Sequence, residues 1–116
     1  MTSLLLLNHR PAPTVEIQPT VVIRRWQVVK PTFGEALLVG VLPNGFTWRV
    51  TTPIVAFCAS ARCVTTRSGR RYELSGPPAV DALDLLVIDA HLALNQISGA
   101  ANVSESYSQA IAGATQ

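Results

Sequence analysis

Two cysteines, two histidines and a run of arginines are the side chains with the widest chemical scope in this 116-residue sequence. Cys58 and Cys63 are separated by Ala59-Ser60-Ala61-Arg62. If those residues make a hairpin turn, the two sulfurs face each other across adjacent strands. The simpler expectation is two reduced thiols flanking a turn, because a small disulfide scaffold carries more cysteines. A zinc site would need further ligands, and only His9 and His91 are on offer, so no metal is expected. Asp84 and His91 share a helix face and could hydrogen-bond a partner or a substrate. No Gly-x-Ser-x-Gly, phosphate loop, His-x-x-x-His pair or dinucleotide glycine fingerprint occurs. Neither enzymatic activity nor a cofactor is therefore expected.

Arg62, Arg67, Arg70 and Arg71 fall within ten residues, beside Tyr72. A phosphate backbone could lie across two adjacent turns bearing such side chains, which makes this hairpin a candidate nucleic-acid surface. The competing readings are a solvated rim that keeps the turns soluble and a docking surface for an acidic protein. Eight of the nine basic residues are arginine, which favours bidentate or stacked contacts over a diffuse charge cloud. All nine lie between Arg10 and Arg71, with Glu16, Glu35 and Glu73 as the acids up to residue 75. Residues 76–116 hold Asp81, Asp84, Asp89 and Glu105 and no Lys or Arg. The net charge of +2 is too small by itself to indicate a polyanionic partner.

With 48% apolar and 14% charged residues the chain is not of the disordered class. Its length suits one domain. Residues 1–20 read as an extended arm broken by Pro11, Pro13 and Pro19, with room for a short edge strand over 15–18. Leu4–Leu7 is too short an apolar run for a secretory signal or a membrane span and follows no basic residue. The expectation is a cytoplasmic protein without membrane contact.

Residues 21–75 are dense in β-branched and aromatic residues cut by turn signals. Strands are expected over 21–29 and 35–42. Pro43-Asn44-Gly45 then marks a hairpin in which both Asn44 and Gly45 accept positive φ. A return strand spans 46–51, Pro53 breaks the chain before 54–58, and 63–67 and 70–74 follow. Trp26, Phe46 and Trp48 fall in phase with apolar neighbours, so they read as core rather than as a base-stacking platform. About five antiparallel strands in a meander leave two exposed edges unless the sheet curls, which favours a curved, small open barrel.

From residue 80 to 97 the apolar period changes to 3.6. Leu83, Leu86, Val87, Ala90, Leu94 and Ile97 form a stripe expected to cover the sheet, and Gly99 is expected to end the helix. A second set, Leu85, Ile88 and Leu92, leaves a narrow polar face. A helix apolar over that much of its girth buries more than one side. That second side is expected to pack on the N-terminal leucines or on a second copy of the chain, so Leu85, Ile88 and Leu92 are the candidate self-association residues, with a homodimer as the expected partner state. Residues 99–116 read as a flexible tail, although Val103, Tyr107 and Ile111 recur at spacing four.

The stretch from Thr51 through Phe57, followed by Thr65-Thr66-Arg67-Ser68-Gly69-Arg70-Arg71-Tyr72-Glu73-Leu74-Ser75-Gly76-Pro77-Pro78, resembles small uncharacterised bacterial proteins found among phage and plasmid genes. That resemblance covers residues 24–97 loosely and implies an accessory role without any catalytic residue. The fold expected is α+β: a curved antiparallel meander over 21–98 with one long C-terminal helix packed on it. The function expected is a non-enzymatic binding or adaptor module acting through an unidentified protein partner. The alternative is a nucleic-acid binder using the arginine hairpin.

Overall fold

Runs of β-branched residues set the strands, and two of those strands are long enough to serve more than one neighbour. A computed structural model describes residues 14–114. The elements are β1 (Thr20–Lys30), β2 (Leu37–Val41), β3 (Trp48–Cys58), β4 (Cys63–Thr66), β5 (Arg71–Ser75), α1 (Ala82–Leu94), β6 (Ala101–Asn102) and α2 (Ser104–Ala114). Leu4–Leu7 and most of the expected arm lie outside the described residues. Over 14–18 the edge strand gives way to a turn, closed by Ile17 N–H and Gln18 N–H donating to Thr14 C=O.

The sheet does not end in two edges as an open meander would. β1 pairs β5 over Thr20–Arg24, then pairs β2 from Arg24 to Val29. With β2–β3, β3–β4 and β4–β5 also paired, five strands close into a ring, and β6 adds to the end of β1. Consecutive strands run antiparallel, but the closing β1–β5 pair is parallel. The reason is parity: in a meander of five, the first and last strands point the same way. Closure satisfies the backbone groups that would otherwise form exposed edges.

Both long strands bend where they change partner. In β1 the register shifts between Arg24 and Gln27, and Arg25 takes φ 46° in the left-handed region. Arg24-Arg25 between Ile23 and Trp26 interrupts strand alternation, and the bulge restores parity so that Trp26 and Val28 point inward. Pro53 does not break the chain; β3 runs through it. It sits where β3 leaves β2 for β4, with Ile54 N–H donating to Ala36 C=O and Arg67 N–H donating to Pro53 C=O. A proline is tolerated at such an irregularity because no ladder donor is required of it. At the β2–β3 turn Gly45 alone takes positive φ (86°). The Asn44 carboxamide oxygen instead accepts from Phe46 N–H and Thr47 N–H.

Two apolar clusters follow from the ring. The enclosed one contains Ile23, Trp26, Val28, Leu38, Val64, Tyr72, Leu74 and, from α2, Ile111. The other lies on the outer face, where Val29, Leu37 and Val39 meet Ala79, Ile88 and Leu92, with Trp48 and Ile97 alongside. All five residues of β2 are buried because α1 covers what the ring does not enclose.

The expectation of one long helix and a flexible tail is corrected to two shorter helices. α1 has 13 residues; Asp81 caps it by accepting from Leu83 N–H and Asp84 N–H. It ends at Asn95 rather than Gly99. Gln96 takes φ 60°, Gln96 N–H donates to Ala93 C=O, and Ile97 N–H donates to Leu92 C=O. This is a Schellman end, with Ile97 and Leu92 in one apolar cluster. Residues 104–114 form α2, and the spacing of Val103, Tyr107 and Ile111 is what packs it on the enclosed cluster. Its start is pinned by Ser104, whose Oγ accepts from Val28 N–H at 2.9 Å while Val103 N–H donates to Val28 C=O.

Candidate functional site

The faces of α1 are the reverse of the expected ones. Asp84, Ile88 and Leu92 are its buried residues, on one i, i+4 line against the outer cluster. Leu85 is half-buried. The expected self-association set is thus turned toward the strands, with two of its three members buried. The stripe expected to cover the sheet is largely exposed: Leu83 is 68% and Leu86 66% accessible, Leu94 is exposed, and Val80 before the helix is 84% accessible. Periodicity could not choose between the two sets because both are apolar. What chooses is Asp84, which is drawn inward by an arginine the sequence reading did not single out.

That arginine is Arg25. Its Nη1 donates to Asp84 Oδ1 at 3.1 Å and its Nη2 to Gly45 C=O at 3.1 Å. Its guanidinium carbon lies 5.6 Å from the centre of the Trp48 ring. His91 stacks on the same ring at 6.2 Å between centroids. Asp84 and His91, which share a helix face, are engaged separately within the chain, the first by Arg25 and the second by Trp48. Through Gly45, Arg25 also holds the turn that carries Phe46 close to α1. Phe46 is 65% accessible, so it is not the core residue its parity predicts. The one signal for Arg25 in the sequence is the Arg24-Arg25 parity break, which marks a bulge without revealing its partner.

A shallow cleft of about 350 Å³ brings Arg24, Arg25, Val80 and Asp81 together beside the start of α1. Charges of both signs therefore border the apolar stripe.

The side chains of the arginine hairpin divide between the fold and the surface. Arg62 takes φ 54° and its side chain donates to Leu74 C=O at 3.0 Å and Gly76 C=O at 3.2 Å. Arg70 is 4% accessible and its Nε donates to Gln18 C=O at 2.9 Å. Arg67 pairs with Glu35. Tyr72 is buried in the enclosed cluster. Arg71 is exposed on the outer face of β5. Arg62, Arg70 and Tyr72 thus serve the fold directly, while Arg67 and Arg71 remain exposed.

Cys58 and Cys63 are directly opposed as the last pair of the β3–β4 ladder, and both are free thiols. Among the described residues no cluster of three or more His, Cys, Asp or Glu is placed to hold a metal ion. Among them, too, no helix is long and apolar enough to cross a membrane. Comparison with protein-family models, with curated proteins and with solved structures finds no match.

Proposed function

We propose that this protein is a non-enzymatic binding module working through protein contacts, with the outward stripe of α1 as its contact surface and a second copy of the chain as the occupant. The observation that carries this reading is the accessibility of Leu83 and Leu86 on a helix already anchored by its opposite face, with the exposed Val80 just before it. Large apolar side chains left in water next to one another mark interaction surfaces.

Self-association is favoured by the charges at the border. Asp81, the cap of α1, and Asp89 within the helix are exposed, and Arg24 is exposed beside the helix start, next to the Arg25 that Asp84 already holds. A two-fold axis presents the same patch to itself, so a patch bearing both signs can pair each charge with its opposite. A stable dimer buries about 800 Å² per partner, more than one 13-residue helix face offers, and the nearby Phe46 turn supplies further apolar area.

Light scattering on the full chain at micromolar concentration tests this. The expected mass is that of two chains, falling to one chain in the Leu83→Asp/Leu86→Asp variant with its thermal unfolding transition retained. A single-chain mass for the unsubstituted protein overturns the reading.

A further inference from the structure

We infer that Cys58 and Cys63 form a reversible oxidation site, a dithiol that closes to an intramolecular disulfide when a peroxide supplies the oxidant. The geometry is set by the ladder. Opposed residues of an antiparallel pair have Cα atoms about 4.5–5.5 Å apart, within the roughly 4.4–6.8 Å that a disulfide spans. Cys58 and Cys63 are such a pair. The neighbouring pair, Phe57 and Val64, packs in the enclosed cluster, so the cysteines point outward together. Cys58 is exposed and Cys63 half-buried, which leaves the first open to reagent.

The end of this hairpin is held, not frayed. Arg62 N–H donates to Ala59 C=O to close the turn, and the Arg62 side chain is tied to Leu74 and Gly76. The two residues are therefore kept opposite each other before any bond forms, with Cys58 Sγ against the Ser60 hydroxyl and Cys63 Sγ donating to Val64 C=O in the reduced state. Their surroundings divide the roles. Hydrogen bonds from the Ser60 hydroxyl and the Ala61 backbone hold the Cys58 thiol below its ordinary range. Burial pushes the Cys63 thiol up; Arg71 opposes that shift, and Cys58 and Glu73 add to it. Cys58 is thus the thiolate that attacks and Cys63 the thiol that resolves.

The chemistry balances. Cys58 thiolate attacks one oxygen of hydrogen peroxide, the O–O bond breaks, and with one proton taken up a water leaves, giving the sulfenic acid. Cys63 sulfur then attacks that sulfur, the S–O bond breaks, and the Cys63 proton departs with the hydroxyl as a second water. Two thiols are oxidised to one disulfide and one peroxide is reduced to two waters. An excess of dithiothreitol reverses the step by thiol–disulfide exchange.

Arg62 makes the test direct, because trypsin cuts between the two cysteines. The reduced full chain is treated with hydrogen peroxide, alkylated and digested without reductant. The expected result is peptides 50–62 and 63–67 joined, an intact monomer lighter by two hydrogens, and recovery of both thiols with dithiothreitol. Cys63→Ser should stop at a sulfenic acid trapped by dimedone, and Cys58→Ser should react several-fold more slowly. Unlinked peptides carrying added oxygen, disulfides between chains in place of the internal one, or no recovery on reduction would each overturn the assignment.

Discussion

Arg25 and Asp84, 59 positions apart in the chain, meet at 3.1 Å on the outer surface of the strand ring. The carboxylate side is nearly enclosed, with 12% of the Asp84 side chain accessible, while Arg25 is about half open. This contact fixes which side of a helix apolar nearly all round turns inward. It also holds Arg25 in a backbone conformation that L-residues rarely adopt.

Two opposing effects at Arg25 separate by substitution. Arg25→Ala removes the partner of an enclosed carboxylate and keeps the positive φ, so it should destabilise by about 1–3 kcal/mol. Arg25→Gly loses the same ion pair but relieves the backbone, and should retain roughly 1 kcal/mol relative to the alanine variant. Chemical denaturation of both variants measures the difference. Equal midpoints would mean that the bulge carries no conformational cost.

Gly40 presents a different constraint from Gly45. A Cβ at Gly40 would lie 2.7 Å from Ile23 Cγ1 and 2.9 Å from Arg24 C=O, and the carbonyl cannot move without opening the β1–β2 seam. Gly40→Ala is expected to cost about 1–3 kcal/mol through overpacking at the ring closure. At Gly45 nothing lies within 4 Å, and only φ 86° resists a side chain. Gly45→Asn should therefore be tolerated better than Gly45→Ala, because asparagine enters the left-handed region more readily. Thermal unfolding of the three variants reads both effects.

The same contrast explains what the sequence made legible. β1, β2 and the two later hairpins follow from β-branched runs and turn residues, so their places agree with local pattern. Ring closure does not, because it depends on β1 serving β5 with one half and β2 with the other across the Arg25 bulge. Pro53 misleads for a related reason: a proline breaks a central ladder but is accepted where a strand changes partner. The burial of Arg70 was equally hidden, since a turn rich in arginine reads as solvated until Gln18 C=O is found beside it, whereas strand alternation over 70–74 already turns Tyr72 inward, where the structure has it. α2 was concealed by an Ala-, Ser- and Gly-rich composition, although the spacing of Val103, Tyr107 and Ile111 carried its signal.

Arg70 and Arg71 are adjacent in sequence and serve different ends. Arg70→Ala removes a nearly buried side chain and strips Gln18 C=O of its donor, with an expected cost of about 1–3 kcal/mol. Arg71→Ala alters an exposed position and should stay within roughly 0.5 kcal/mol of the parent. Urea unfolding distinguishes them. If nucleic acid were bound through this hairpin, Arg71→Ala would weaken a salt-sensitive association while leaving that midpoint unchanged.

Tyr107 offers a pH-dependent test of the packing of α2. Its ring lies 4.7 Å from that of Phe57, and burial raises its phenol above the ordinary value of 10.0. The folded state thus binds the phenolic proton more tightly than the unfolded chain does. The stabilisation is present in full below the unfolded value and is lost as pH rises through the folded one. Tyr107→Phe removes that titration while keeping the ring contact, so its stability should fall less steeply with pH over this alkaline range. Denaturant midpoints of parent and variant, measured at neutral pH and at steps above pH 10, check the slope; parallel curves would place the Tyr107 hydroxyl in water.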